Sequence, residues 1–255
     1  MSGERSARPQ RALLHRPYLG LGAGLGLLGA FALLTLAVGA QADRVAPATA
    51  FAPIGRFDQS VFNAVQHIND SFLTPLAKTL NFLGGGAFSI PFRAACVILL
   101  LILRRFRHAI AFALTWVLSE AALTWVKTSI DRGRPPSPLT VTNGPSYPSG
   151  HSVAGAAIGI ALVIAFIPAG HKRRVWEWVA AGFALLMGCS RVYLNAHWFS
   201  DALGGVLLGA GIALTVAALV ALTDRRVIGH TPSDEVWRED GTARGAPPGP
   251  AAAPA

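Results

Sequence analysis

Three short polar clusters interrupt an otherwise apolar chain, and their residue types suit the handling of a phosphate group. The first is Lys127-Thr-Ser-Ile-Asp-Arg-Gly-Arg134-Pro135, the second Pro148-Ser149-Gly150-His151, and the third Ser190-Arg191-Val-Tyr-Leu-Asn-Ala-His197-Trp-Phe-Ser-Asp201. Lys127, Arg134 and Arg191 supply cations. A phosphoryl group in its transition state spreads negative charge over its equatorial oxygens, so catalysis rests on positioning and electrostatic stabilisation. The planar donor fork of arginine matches those oxygens. Ser149 and Gly150 stand where an apolar run begins, so their backbone N–H groups and the helix dipole can receive an anion. His197 and Asp201 are i and i+4 at the start of another run, hence on one helix face. Asp201 can accept from one ring nitrogen and leave the other free to attack phosphorus.

The elements that position these clusters have the composition of membrane helices. The 255 residues are 52% apolar and 14% charged, against about 25% charged in soluble proteins. The net charge of +9 sits in short basic clusters between apolar runs. Such clusters are topology signals rather than a solvated stripe for nucleic acid, so no nucleic-acid partner is expected. Cys96 and Cys189 fall inside apolar runs without metal-ligand spacing and read as small buried hydrophobes. With no carboxylate cluster to hold a metal, neither metal nor cofactor is expected.

About six transmembrane helices are expected in an all-α polytopic bundle, the spans running Tyr18–Ala40, Ala87–Leu103, Ala109–Val126, His151–Pro168, Val175–Leu194 and Trp198–Leu222. Residues 1–17 form an arginine-rich lead, 18–222 the membrane domain with its motifs at 127–201, and 223–255 a polar, then Gly/Ala/Pro-rich, disordered tail. Ala40-Gln41-Ala42 resembles a signal-peptidase site, but the preceding run is longer than a signal h-region, which favours an uncleaved anchor. In the segment 41–86, Phe57, Val61, Phe62, Val65 and Ile68 recur at helical spacing, as in an interfacial amphipathic helix or one packed on the bundle. Gly84-Gly85-Gly86 reads as a flexible break. The basic clusters (Arg5, Arg8, Arg11 and Arg16; Arg104, Arg105 and Arg107; Lys172, Arg173 and Arg174; Arg225 and Arg226) all fall on one side of a six-span arrangement. Both termini are therefore expected in the cytoplasm of a multi-pass cell-membrane protein, with the three polar clusters converging at the outer face.

In these clusters the chain resembles the type 2 phosphatidic acid phosphatase superfamily, which includes vanadium haloperoxidases and glucose-6-phosphatase. The family signature, K-x6-R-P then P-S-G-H then S-R-x5-H-x3-D, is matched at every fixed position and in order. The resemblance covers Ala87 to Leu222 and fits the membrane-bound branch. It implies phosphate binding by Lys127, Arg134, Ser149, Gly150 and Arg191, with His197 as nucleophile and His151 as the acid that protonates the leaving group and then activates water. Arg132 is a basic position that relatives also use, an additional candidate phosphate contact; Asp131 beside it is less expected in the pattern and could narrow the range of accepted anions. The implied activity is metal-independent hydrolysis of lipid-linked phosphate monoesters or pyrophosphates through a phosphohistidine. Phosphatidic acid, phosphatidylglycerol phosphate, isoprenoid pyrophosphates and smaller phosphate esters are the candidate substrates; an outward-facing site favours the lipid-linked ones, with isoprenoid pyrophosphate marginally preferred, and no obligate protein partner is indicated.

A lipid flippase or small-solute transporter would account for the spans but not for the ordered motifs, and no inverted repeat is visible. A vanadate-dependent peroxidase would share the site, but such relatives are typically soluble. Two packing expectations follow. Gly155 and Gly159 continue below His151, and Gly205 and Gly209 below Asp201, at spacings that let the fourth and sixth spans pack directly together. Arg93 and Glu120 fall at matching depths of neighbouring spans, about 9 and 10 Å from their ends, and are expected to pair.

Overall fold

The computed structural model describes residues 13–14, 16–42, 52–68, 72–168 and 170–223; most of the lead and the expected tail lie outside them. Eight helices account for the secondary structure of the described residues: α1 Pro17–Ala42, α2 Ala52–Gln66, α3 Leu73–Gly84, α4 Gly86–Ile102, α5 Phe106–Ile130, α6 Gly150–Phe166, α7 His171–Tyr193 and α8 Phe199–Leu222. One compact unit ends at Ala221. The main core draws Phe31 and Val38 from α1, Ala111 and Val126 from α5, Val153 and Ile164 from α6, and Leu208, Ile212 and Val216 from α8.

The chain is an all-α, membrane-associated bundle, but the expectation of about six spans needs correction. Among the described residues, three helices are long and apolar enough to cross a bilayer: α1 over Pro17–Ala40, α5 and α8. A fourth follows if α3 and α4, bent by 51° at their junction, are taken as one broken span. α6 is apolar but has 17 residues, short of the roughly 20 that a bilayer core requires. α7 carries Lys172, Arg173, Arg174, Glu177 and Arg191 along its length. Hydropathy alone marked both segments; length and charge separate them from the other three.

The bundle has two chemically distinct ends. At one, basic side chains close helix C-termini, where carbonyls lack intrahelical partners. Arg105 Nη1 donates to Ala165 O of α6 at 2.9 Å, and Arg107 Nη2 donates to Val220 O of α8. Arg173 bridges Leu13 O and Ile164 O at 2.8 and 2.9 Å. The other end gathers the C-termini of α5 and α7, the N-termini of α6 and α8, and the short helices α2 and α3.

The glycine expectation is half right. On α8, a Cβ at Gly205 would stand 2.5 Å from Ser149 O and one at Gly209 2.4 Å from Val153 O, so α8 does lie against α6. On α6, Gly155 and Gly159 face Met187, Ala184 and Ala180 of α7 instead. The Gly84–Gly86 break is the bend between α3 and α4. The expected pair forms: Arg93 Nη1 donates to Glu120 Oε1, and the guanidinium lies 5.7 Å from the ring centre of Trp116.

Candidate active site

Each of the three polar clusters sits at a helix terminus or in the loop beside one. α5 carries Lys127 in its last turn and stops at Asp131, whose left-handed backbone (φ 45°) turns the chain away while its N–H still reaches Lys127 O at 3.1 Å. Asp tolerates that region better than most residues. Arg132 and Arg134 follow in the loop. Ser149 caps α6, its Oγ accepting from Ser152 N at 3.4 Å, so that Gly150 and His151 open the helix. α7 ends on Arg191 and Tyr193, and His197 occupies the tight connection to α8. The carbonyl of Arg191 accepts from the N–H groups of Ala196 and His197 at 3.0 and 3.3 Å, fixing that connection.

Asp201 and His197 meet as the i, i+4 spacing predicts. His197 Nδ1 lies 3.5 Å from Asp201 Oδ2. The same oxygen accepts from Trp198 N at 2.9 Å, and Oδ1 accepts from Arg132 Nη1 at 2.6 Å. The other ring nitrogen, Nε2, is 3.2 Å from Arg134 Nη1. A guanidinium only donates, so Nε2 carries a lone pair and the proton resides on Nδ1. Burial pushes the imidazole pKa down to about 4; Asp201 opposes that shift, while Arg134 and Arg191 add to it.

Lys127 and Arg134 converge from opposite sides of the loop. Lys127 Nζ donates to Pro145 O, which Arg134 Nη2 also reaches at 3.1 Å. Arg134 further donates to the carbonyls of Asn143, Gly144 and Ala196 at 2.7–2.9 Å. Its burial lowers its pKa, partly offset by Asp201. Arg191 and His151 share one partner that the sequence did not reveal, Asn81 on α3. Arg191 Nη1 donates to Asn81 Oδ1, and His151 Nε2 is 2.9 Å from Asn81 O. A carbonyl only accepts, so His151 carries its proton on Nε2. The Nε of Arg191 is buried with no hydrogen-bond partner. Lys127 and Arg134 feel the carboxylate of Asp201, which Arg132 already engages, and Arg191 adds a further cation near Arg134. That surplus of positive charge suits an anion.

Two placements depart from expectation. The N–H of Ser149, expected to face an anion, donates to Asp201 O at 3.0 Å, and ties α6 to α8. Arg132, expected near phosphate, directs its guanidinium to Asp58, Ser200 and Asp201. Asp131 ends α5 and lines a polar cleft with Gln59, Arg132 and Trp198.

The site was also incomplete in the sequence. Asp58 and Asn81 lie on α2 and α3, 74 and 110 positions from Arg132 and Arg191, and no local pattern marks them. Tyr147, fully buried, pairs its hydroxyl with Thr35 Oγ1 at 2.9 Å and stacks on Phe31, binding α1 to the loop before Ser149. Burial raises its pKa, so it stays neutral. α2 packs on the bundle through Phe57 on Phe199 and Phe62 on Trp198, at ring separations of 5.4 and 5.8 Å.

An apolar cavity of about 520 Å³ begins beside His151. Gly84 and Met187 line it, and a Cβ at Gly84 would stand 2.6 Å from the His151 ring. It runs between α4, α6 and α7 to Phe166 and Trp176 near the opposite end.

The geometry has counterparts in known proteins. The family model of the PAP2 superfamily matches residues 108–225. Phosphatidylglycerophosphatase B of Bacillus subtilis is 27% identical over 157 residues, which are 60% of this chain and 77% of that protein. Glucose-6-phosphatase catalytic subunit 1 of Haplochromis nubilus is 28% identical over 122 residues, 41% of this chain but only 35% of that one. The crystal structure of a transmembrane PAP2-type phosphatidylglycerolphosphate phosphatase from Bacillus subtilis shares the fold, with a TM-score of 0.62 at 24% identity, over 79% of this chain and 98% of that one. Residues 108–225, which hold the signature residues gathered around one cationic site, match the PAP2 superfamily, and the chain is a phosphate-ester hydrolase of that type.

Proposed function

We propose that this hydrolase acts on lipid-linked phosphate monoesters or pyrophosphates through a phosphohistidine on His197, at the outer face of the membrane. The observation that carries the substrate class is the apolar cavity, which continues from His151 along the bundle. From Gly155 to Phe166 it follows α6 for about 17 Å at 1.5 Å per residue, a length suited to a hydrocarbon chain lying beside the reacting phosphate.

In the first step His197 Nε2 attacks phosphorus and the bond to the leaving oxygen breaks. His151 gives its Nε2 proton to that oxygen, releasing the lipid alcohol, or the lipid monophosphate when the substrate is a pyrophosphate. Asp201 stabilises the charge that develops on the imidazole. Lys127, Arg134 and Arg191 hold the equatorial oxygens, exchanging their carbonyl and Asn81 partners for those of the substrate, with Gly150 N–H and the Ser149 hydroxyl, rather than the Ser149 N–H, at the start of α6. In the second step His151 takes a proton from water as it attacks, the P–N bond breaks, and phosphate leaves.

The test is phosphate release by purified protein, in EDTA, from phosphatidic acid, phosphatidylglycerol phosphate, an isoprenoid pyrophosphate and glucose 6-phosphate. A lipid substrate is expected to exceed the sugar phosphate in kcat/KM by about 100-fold or more, since an apolar tail adds several kcal/mol of binding. Equal efficiency would overturn the lipid assignment. Acid-labile phosphoenzyme should disappear in His197→Ala and persist at reduced rate in His151→Ala; labelled His197→Ala would overturn the nucleophile.

A further inference from the structure

Asp58 lies on α2, outside the residues that the family model matches, and is 1% exposed. Both of its carboxylate oxygens point at the catalytic end of α8. Oδ1 accepts from Ser200 N at 2.9 Å; Oδ2 accepts from Ser200 Oγ at 2.6 Å and from Arg132 Nη2 at 2.7 Å. The other arm of that guanidinium, Nη1, reaches Ser200 Oγ at 2.7 Å and Asp201 Oδ1 at 2.6 Å. One guanidinium therefore bridges two fully buried carboxylates, one nitrogen to each.

We propose that Asp58 is a positioning residue for the hydrolysis: by holding Nη2, it keeps Arg132 from closing on Asp201 and so leaves Asp201 Oδ2 to His197. The physical reason is the preference of arginine for two parallel bonds to a single carboxylate. With Asp201 as its sole anion, Arg132 would rotate into that bidentate arrangement and take Oδ2, the oxygen that faces His197 Nδ1. Asp58 blocks the rotation by supplying a second anion at the correct angle, and its bonds to Ser200 anchor that anion to the first turn of α8. The bridge also leaves two carboxylates against one guanidinium beneath the imidazole, a net negative charge where positive charge develops as the ring becomes phosphorylated. A segment ahead of the motifs thus completes the geometry of the His197–Asp201 pair.

This inference rests on His197 as the attacking group, and the experiment separates the two. The full-length protein carrying Asp58→Asn keeps the side-chain size and an acceptor for Ser200 N, but loses the anion and sets an amide N–H against Arg132. Its kcat is expected to fall about 10- to 100-fold, the usual cost of losing a partner that orients a reacting side chain. KM should stay within about twofold, because no substrate contact is touched. Added to Arg132→Gln, the change should cause little further loss, since both act through one guanidinium. Should Asp58→Asn not fold, Ser200→Ala removes the hydroxyl that Asp58 and Arg132 share, and a lower kcat at unchanged KM is expected. A normal kcat in whichever variant is measured overturns the inference, as does a loss that multiplies fully with Arg132→Gln. If His197→Ala itself turns over, the reading of His197 fails; if His197→Ala is dead while Asp58→Asn is normal, only the role of Asp58 fails.

Discussion

The two active-site histidines hold their protons in complementary ways. His197 presents a bare Nε2, because its neighbour there is the obligate donor Arg134; His151 presents a protonated Nε2, because its neighbour is a carbonyl. A nucleophile without its proton and an acid with one are what the proposed first step needs, and each state is imposed by a partner that cannot reverse its role. The sign of the pH dependence follows. Burial holds the His197 pKa near 4 rather than the usual 6.5, so the ring stays neutral as pH falls from 7 to 5 and protonates only below that window. In a His151→Ala background, inactivation by diethyl pyrocarbonate that vanadate protects against should keep its rate down to pH 5, with a midpoint near 4. A midpoint near 6.5 would mean that the imidazole is hydrated rather than buried. The sequence displayed this much of the chemistry because His197 and Asp201 are four residues apart, and because each remaining motif residue sits within a few positions of another. It concealed Asp58 and Asn81 because their roles exist only across the bundle: an aspartate on an amphipathic helix and an asparagine before a glycine run look like ordinary polar residues until their partners fold against them.

Among the elements, α8 is the one on which the site depends most, since it carries Asp201 and meets both α6 and α2. Its approach to α6 is governed by backbone contact rather than side-chain packing. A Cβ at Gly209 would come within 2.4 Å of Val153 O and 3.1 Å of Ala157 N, both backbone atoms that cannot swing aside. Gly209→Val should therefore separate the two helices and destabilise the bundle by about 1–3 kcal/mol, the usual cost of overpacking. Because α6 presents Ser149 and His151 while α8 presents Asp201, turnover should fall together with the melting temperature in detergent. Gly182→Ala on α7, where nothing lies within 4 Å, is the control and should melt no lower than the parent chain. Comparable melting of the two variants would show that α6 and α8 are not in backbone contact. Glycine spacing in the sequence indicated close approach on both helices but not its direction. The i, i+4 stripe of α6 turns towards Met187 and Ala180 of α7, and only the α8 stripe faces α6. A stripe fixes a face of its own helix, whereas the neighbour is chosen by where every other face is satisfied. α3 went unread for a related reason: it is a 12-residue helix ending in glycine, short enough to pass for a connection, yet it delivers Asn81 to Arg191 and His151.

For the whole molecule, the basic clusters do two jobs with one set of residues. Arg105, Arg107 and Arg173 close the last carbonyls of α6 and α8 and the chain before α1, so the arginines that mark a membrane side also terminate the helices arriving there. The opposite end concentrates a different kind of charge, arginines and a lysine turned inward on a site rather than outward to lipid headgroups. The positive-inside tendency applies to loop charges near span ends, and the two clusters among the described residues, at 104–107 and 172–174, meet at the C-terminus of α6, away from the site. On the proposed reading the capped end is cytoplasmic and the site lies at the outer face. That proposed orientation now rests on which end of the bundle the described clusters share and not on a count of six spans. α6 and α7, one short and the other charged, are shielded in part by their neighbours: α6 is buried along most of its length, and Arg173 of α7 bonds backbone carbonyls. Ser137 and Gly170 report the two ends, since both are exposed and lie in loops, one in the segment before α6 and the other just ahead of α7. In a Cys96→Ala, Cys189→Ala background, a cysteine at Ser137 should react with an impermeant maleimide added to intact cells, and one at Gly170 should react only after the membrane is opened. The contrast should exceed about tenfold, because a bilayer excludes a charged reagent rather than merely slowing it. Labelling of Gly170→Cys in intact cells with Ser137→Cys protected would put the phosphate site in the cytoplasm, where the substrates it meets would be those of the inner leaflet.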